Sequence, residues 1–73
     1  MDDPHVAQIL EFIRNRAKQN ESTASRHIHR RFDIPTEKVE EILSKLKEKS
    51  IIDEIYDEEY QENRFTLKNP EKR

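Results

Sequence analysis

Two histidines in the middle of this 73-residue chain, His27 and His29, are the side chains best suited to metal chemistry. Two residues apart, they would share one face of a strand but would diverge by about 200° on a helix. The apolar spacing around them predicts a helix, so a single metal ion cannot bind both. Since the chain has no cysteine and only His5 remains as a further histidine, we expect no metal site.

Sequence patterns of catalysis are also missing. The serines have explanations as helix caps, turn residues or solvent-exposed positions, and none stands at motif spacing from a plausible base. The sequence contains no glycine, which excludes a Walker loop and a dinucleotide-binding fingerprint. We therefore expect a binding module and not an enzyme, without a cofactor and without a small-molecule substrate.

Charge is strongly segregated along the chain, although the net formal charge is only −2. Residues 22–32 carry Arg26, Arg30 and Arg31 and no acid, whereas residues 50–62 sum to −6. Arg26 and Arg30 are one helical turn apart and about 200° from Ile28, so we expect both to be exposed and able to contact phosphates. The alternative is that the three arginines pair with acids elsewhere in the fold.

Length and composition indicate one small domain over residues 1–68, followed by a frayed tail at residues 69–73. The longest apolar runs are pairs such as Ile51-Ile52, which are too short for a transmembrane span or a signal peptide. The lack of cysteine fits a reducing compartment. We expect a cytoplasmic or nucleoid-associated protein that is neither secreted nor inserted in a membrane.

Hydrophobic periodicity predicts two helices in the first half of the chain. The first begins at Asp3-Pro4, runs to about Lys18 and carries a stripe of five apolar residues: Val6, Ile9, Leu10, Ile13 and Ala17. Phe12 lies beside that stripe and either widens the core face, which we favour, or contacts a second subunit. The second helix takes its cap from residues 21–23 and ends at residues 33–36. Its apolar residues recur every four positions, at Ala24, Ile28 and Phe32.

A third helix and two strands follow. The helix starts near Thr36 and ends near Lys49, and four residues form its apolar stripe: Val39, Ile42, Leu43 and Leu46. We expect this stripe to pack against the first two helices. Residues 51–56 are rich in β-branched and aromatic residues, and residues 64–68 alternate strictly, which predicts two strands joined by a polar loop at residues 57–63. The predicted fold class is therefore α+β.

This order of elements resembles the winged helix-turn-helix family, in which a two-stranded hairpin, the wing, follows three helices. The resemblance covers roughly residues 5–68 and depends on three spacings: Ala24-x-x-x-Ile28-x-x-x-Phe32-x-Ile34, Val39-x-x-Ile42-Leu43-x-x-Leu46, and Ile51-Ile52 before Phe65-x-Leu67. Two positions depart from the family pattern. Ser50 stands where glycine usually ends the third helix, and His29 stands where a small residue usually permits close helix packing.

The resemblance implies a stand-alone protein that binds double-stranded DNA and regulates transcription. Its third helix would enter the major groove, and its second helix would cross the phosphate backbone. Seven residues are the candidate DNA contacts on this interpretation: Arg26, Arg30, Arg31, Lys38, Ser44, Lys45 and Lys49.

The outer face of the third helix also supports a different interpretation. Its outermost positions are Glu37, Glu41, Ser44 and Glu48, and carboxylates are repelled by phosphates. Either these acids form a solvated surface, or the domain is a protein-interaction module of a replication or transcription assembly that receives a basic peptide. The candidate contacts are then Glu37, Glu41, Glu48, Glu58 and Glu59. A homodimer through Phe12 and Tyr60 is compatible with either function.

Overall fold

Three helices and a three-stranded antiparallel sheet form the α+β fold in the computed structural model, which describes residues 4–68. The elements are α1 (Pro4–Lys18), β1 (Thr23–Ala24), α2 (Ser25–Phe32), α3 (Thr36–Glu48), β2 (Ile52–Asp57) and β3 (Glu62–Leu67). The tail predicted at residues 69–73 lies outside the described residues.

The predicted apolar stripes meet in one core. All four stripe residues of α3 are buried, and α1 contributes Ile9 and Ile13 while α2 contributes Ile28. Ile34, Ile52 and Phe65 complete the buried cluster, and Leu10 packs against it. Because the apolar residues of the helices repeat with the helical period, the helical part of the core could be predicted from spacing alone.

Phe12 belongs to this core and not to a separate surface. Its ring lies edge-on to Phe32, with 5.6 Å between the ring centroids and 83° between the ring planes. Both rings are half-buried against the main cluster. The favoured prediction for Phe12, that it widens the core face, is therefore confirmed.

The sheet differs from the predicted two-stranded hairpin because it has a third strand. Thr23 pairs with Phe65 and Ala24 pairs with Arg64, which places β3 between β1 and β2. Within residues 4–68 the outer edge of β2 therefore has no partner strand. The two residues of β1 are too few to produce an alternating pattern, so periodicity could not reveal this strand.

The strand β1 also moves the start of α2 from its predicted position. Thr23 does not cap the helix, because it is fully buried and its Oγ1 accepts a hydrogen bond from Nε of Arg16 at 3.0 Å. The helix instead begins at Ser25, after Ala24. The backbone N–H of Ala24 donates to Nδ1 of His27 at 3.0 Å, so a histidine side chain supplies the cap contact.

The hairpin that joins β2 and β3 has a shorter loop than predicted. Oδ1 of Asp57 accepts hydrogen bonds from the backbone N–H groups of Glu59, at 2.9 Å, and Tyr60, at 3.2 Å. This turn stabilised by Asp57 reverses the chain within residues 58–61. Residues 57, 62 and 63 of the predicted loop are therefore strand residues.

The chain makes its left-handed turns without glycine. Asn20, Asp33, Ser50 and Gln61 have φ between 53° and 62°, where a side chain is sterically unfavourable. At the end of α3, the N–H of Ser50 donates to the carbonyl of Lys47 at 2.9 Å and that of Ile51 donates to the carbonyl of Leu46 at 3.0 Å. This pair of bonds is a Schellman motif. Ser50 thus ends the helix as predicted.

His29 lies within α2, one helical turn before its end, and it is an exposed residue. Its Nδ1 is 2.6 Å from the carbonyl oxygen of Ile34. A carbonyl can only accept, so Nδ1 carries the proton and donates it. The side chain of His29 therefore ties α2 to the backbone of the segment that leads into α3.

We expect the substitution Ser50→Gly to stabilise the fold. It removes left-handed strain of roughly 1–2 kcal/mol and adds an entropic cost of about 0.5–1 kcal/mol in the unfolded chain. The free energy of unfolding, measured by chemical denaturation, should rise by about 0.5–1 kcal/mol. The control Ser50→Ala keeps the strain and should give no increase. A decrease for Ser50→Gly would contradict this account of the helix end.

Candidate nucleic-acid interface

The three arginines of α2 are exposed, as predicted, but they differ in their partners. The guanidinium of Arg26 is held by Glu62 of β3: Nε lies 2.8 Å from Oε1 and Nη2 lies 3.1 Å from Oε2. This bidentate contact raises the pKa of Arg26 and lowers the pKa of Glu62 from their ordinary values. For Arg26, the predicted alternative of pairing inside the fold is therefore what is found.

Arg30 and Arg31 differ from Arg26 because neither forms an ion pair within residues 4–68. The guanidinium carbon of Arg31 lies 5.1 Å from the centroid of the Phe32 ring, a cation–π contact that leaves the positive charge in place. These two side chains consequently have no carboxylate partner among the described residues, whereas Arg26 keeps only the N–H groups that Glu62 does not occupy.

The contact between Arg26 and Glu62 belongs to a chain of alternating charges that crosses the sheet. Arg64 lies 3.6 Å from Glu62, measured from Nε to Oε2, and its Nη1 donates to Oδ2 of Asp57 at 3.0 Å. The side chain of Arg64 is only 12% exposed. The hydrogen bond from Arg64 lowers the pKa of Asp57. The chain of charges thus fixes the hairpin to the start of α2.

Sequence reasoning does not find the roles of Glu62 and Arg64. Glu62 falls among the acids of the predicted loop, and Arg64 is only the first residue of a predicted strand. One signal was present, since Glu62 and Arg64 are two residues apart and a strand places such residues on one face. The pairing with Arg26, which is 36 residues away in sequence, had no local signal.

The predicted outer face of α3 is exposed at all four positions, Glu37, Glu41, Ser44 and Glu48. The flanking lysines are partly neutralised. Nζ of Lys45 lies 3.7 Å from Oε2 of Glu41, and Nζ of Lys47 lies 2.5 Å from Oε1 of Glu54. Lys38 is half-buried and Lys49 is exposed at the end of the helix. The carboxylates therefore occupy the outermost positions of this face, and the lysines lie along its borders.

A groove with a volume of about 420 Å³ separates α3 from the β2–β3 hairpin. Leu43 and Phe65 lie at its base, and its polar lining mixes both signs of charge: Arg26, Glu40, Ser44, Lys47, Glu54 and Glu62. Most of these charges already pair with one another. The groove is consequently close to electrically balanced, apart from Glu40.

The loop of the hairpin presents acidic and apolar side chains. Glu58 and Glu59 are exposed, and neither forms an ion pair within the described part of the chain. Tyr60 is 60% exposed, and the guanidinium carbon of Arg64 lies 5.6 Å from the centroid of its ring. Of the two residues considered for a dimer contact, Tyr60 is therefore at the surface while Phe12 is packed against the core.

The two histidines have separate hydrogen-bond partners, Ala24 for His27 and Ile34 for His29. Among residues 4–68, no group of three or more histidine, cysteine, aspartate or glutamate side chains is placed to hold a metal ion. No helix in the same range is long and apolar enough to cross a membrane.

The structure is a small α+β fold in which a short turn joins α2 to α3 and α2 carries exposed arginines. No family model matches the sequence, and neither curated proteins nor solved structures give a match. The function must therefore be inferred from the charges and contacts of this chain alone.

Acid should weaken the fold through the chain of charges. Because the folded-state pKa values of Glu62 and Asp57 are depressed, their stabilisation is complete above the ordinary values of 4.5 and 3.8. It disappears as the pH falls through the lower folded-state values. The free energy of unfolding of the wild type should thus fall between about pH 6 and pH 3, and that of Glu62→Gln should fall less.

Chemical denaturation at about pH 6 and about pH 3 measures how much stability the wild type and Glu62→Gln each lose. Glu58→Gln serves as the control, because Glu58 is exposed and lacks an ion pair in the described region. Its stability should decrease as that of the wild type does. An identical decrease for Glu62→Gln would show that the contact with Arg26 contributes nothing to stability.

Proposed function

We propose that this chain is a small DNA-binding protein of the winged helix-turn-helix type that acts in the regulation of transcription. Three features support the proposal: α2 and α3 are joined by a short turn, the β2–β3 hairpin lies beside α3, and β1 adds a third strand that is compatible with this fold. In such proteins the second helix of the pair enters the major groove while the first crosses the backbone.

The exposed charge of α2 is the observation that carries the proposal. Arg30 and Arg31 lie on the helix that would cross the phosphates, and neither has a carboxylate partner within residues 4–68. Arginine donates two parallel hydrogen bonds to a phosphate and keeps its charge at any physiological pH. Lys38, Lys45 and Lys49 would add weaker contacts along the border of α3.

The outer face of α3 determines how strongly the protein should bind DNA and how much binding should depend on salt. Ser44 is its one uncharged outer position and can donate to or accept from a base edge. Glu37 and Glu41 can accept a hydrogen bond from cytosine N4, but elsewhere they are repelled by the duplex. We therefore expect weak binding to arbitrary sequences and a strong dependence on salt.

Replacement of Arg30 and Arg31 by Gln should weaken binding to duplex DNA about equally for all sequences. The slope of log affinity against log salt should become shallower by roughly two, one for each arginine that no longer neutralises a phosphate. A fluorescence-anisotropy titration over several salt concentrations measures this slope. Arg14→Gln, on the exposed face of α1, is the matched control. Absence of binding to any duplex at low salt would overturn the proposal.

A second candidate function is a protein-interaction module that receives a basic segment. It is favoured by the exposed acids of α3, Glu37, Glu41 and Glu48, and by Glu58 and Glu59 in the hairpin loop. The pairing of Lys47 with Glu54, which is not one of these acids, lowers the positive charge beside the face, whereas Glu41 shares its charge with Lys45. Complementary charge would then act mainly on the rate of association with the partner.

The double substitution of Glu37 and Glu41 by Gln separates the two functions. It removes two negative charges and releases Lys45 from its partner, so DNA affinity should rise if α3 approaches the duplex. The gain should be largest at about 0.01 M salt, where the Debye length is about 30 Å. Stability should change by only a few tenths of a kcal/mol, roughly the size of one exposed helical charge pair.

The control for this experiment is Glu11→Gln, which removes an exposed carboxylate from α1. It should leave DNA affinity nearly unchanged. If the double variant binds DNA no better but associates more slowly with a lysine-rich peptide, the interaction module is correct and DNA binding through α3 is not.

A further inference from the structure

A second, shallow hollow lies away from the groove beside α3, where the end of α1, the start of α2 and the hairpin loop meet. Its volume is about 520 Å³. Its charged and aromatic lining comprises Arg16, Glu21, Arg26, His27, Tyr60 and Arg64. Three separate elements, α1, α2 and β3, thus each contribute one guanidinium to the same small space.

The lining of this hollow is positively charged although each arginine has an acid nearby. Glu62 and Asp57, which pair with Arg26 and Arg64, are not part of the lining. Glu62 lies instead on the side of the groove beside α3. Glu21 is the one carboxylate in the lining, against three guanidiniums. An anion in the hollow would therefore contact three guanidiniums and one carboxylate, while Glu62 and Asp57 offset part of the positive charge from outside the lining.

Each arginine is held by hydrogen bonds within the fold and keeps at least one nitrogen atom that could donate to a ligand. Arg16 donates through Nη2 and Nε to the carbonyl of Ser22, at 2.7 and 3.2 Å, while its Nη1 lies 3.6 Å from Glu21, beyond hydrogen-bond range. Arg26 uses Nε and Nη2 for Glu62, which leaves Nη1. Arg64 uses Nη1 for Asp57, and its buried Nε lies near Glu62, which leaves Nη2.

His27 adds a neutral donor. Its Nδ1 accepts the backbone N–H of Ala24, so the proton of the neutral ring is on Nε2. Burial, followed by the fields of Arg16, Arg26 and Arg64, lowers the pKa of His27 below its ordinary value, whereas Glu62 acts in the opposite direction. The three guanidiniums therefore contribute to the lowered pKa of His27 in addition to the larger effect of burial.

We propose that the hollow binds a phosphate group, held by the guanidiniums of Arg16, Arg26 and Arg64 and by the Nε2–H of His27. Arginine is suited to phosphate because its planar fork matches two oxygen atoms. Tyr60, whose ring lies against Arg64, borders the site. The phosphate can be free inorganic phosphate or a phosphodiester of a nucleic-acid backbone. The site is distinct from α3, so it goes beyond the function proposed above.

The test is an NMR titration of the isotope-labelled protein with inorganic phosphate, with ionic strength kept constant by chloride. The ring signals of His27 should shift in a saturable manner, and its pKa should rise because the bound anion offsets the three guanidiniums. His29 is an internal control, since its ring contacts Ile34 and does not line the hollow. Its signals should not follow the same curve.

Two variants test the assignment of residues. Arg26→Gln removes one charge-assisted hydrogen bond and should weaken phosphate binding about tenfold or more. Arg26→Lys should restore part of that affinity, and Arg14→Gln should bind as the wild type does. The backbone spectrum of each variant checks that the fold is kept. Equal binding by Arg26→Gln would overturn the assignment of Arg26.

A short DNA duplex distinguishes the two sources of phosphate and separates this inference from the proposed function. If the duplex shifts His27 and competes with inorganic phosphate, the site holds a backbone phosphodiester. If phosphate shifts His27 while no duplex binds at low salt, the site stands and the DNA-binding proposal falls. If neither ligand shifts His27 more than His29, the site is refuted, whatever the duplex does elsewhere.

Discussion

The hydrogen bonds from Arg16 to the segment at Ser22 and Thr23 are the contacts on which the rest of this small structure depends. They hold the chain extended immediately after α1, and this extended segment pairs with β3 as strand β1. The pairing determines where α2 begins and brings Arg26 to Glu62. One side chain of the first helix therefore positions both the second helix and the hairpin.

The folded chain rearranges the charge segregation of the sequence. The basic segment at residues 22–32 and the acidic segment at residues 50–62 neutralise one another where Arg26 meets Glu62. Among the described residues, Arg30 and Arg31 of the basic segment form no ion pair, and neither do Glu58 and Glu59 of the acidic segment. A net charge near zero thus conceals two surfaces of opposite sign, and each of the two candidate functions uses one of them.

The helices and the core could be predicted from the sequence because each stripe repeats with the helical period. Val39, Ile42, Leu43 and Leu46 are buried as expected. The strand β1 could not be predicted, since two residues have no period and the buried hydroxyl of Thr23 is stabilised by a residue of another element. In the candidate sites, exposure followed from helical geometry, but the partner of Arg26 did not. Arg26 meets Glu62 because β1 pairs with β3 in a particular register. That register joins residues far apart in the sequence, so no local pattern reveals it.

The position of β3 in the middle of the sheet leaves β2 with an open edge among the described residues. Such an edge exposes backbone donors and acceptors that could template pairing with another chain. Half of the six residues of β2 are acidic, namely Asp53, Glu54 and Asp57, and each has a cationic partner: Lys68, Lys47 and Arg64. Charged side chains along an edge strand disfavour pairing with another chain. The charge pairs of β2 therefore disfavour edge-to-edge association of two copies, independently of what the domain binds.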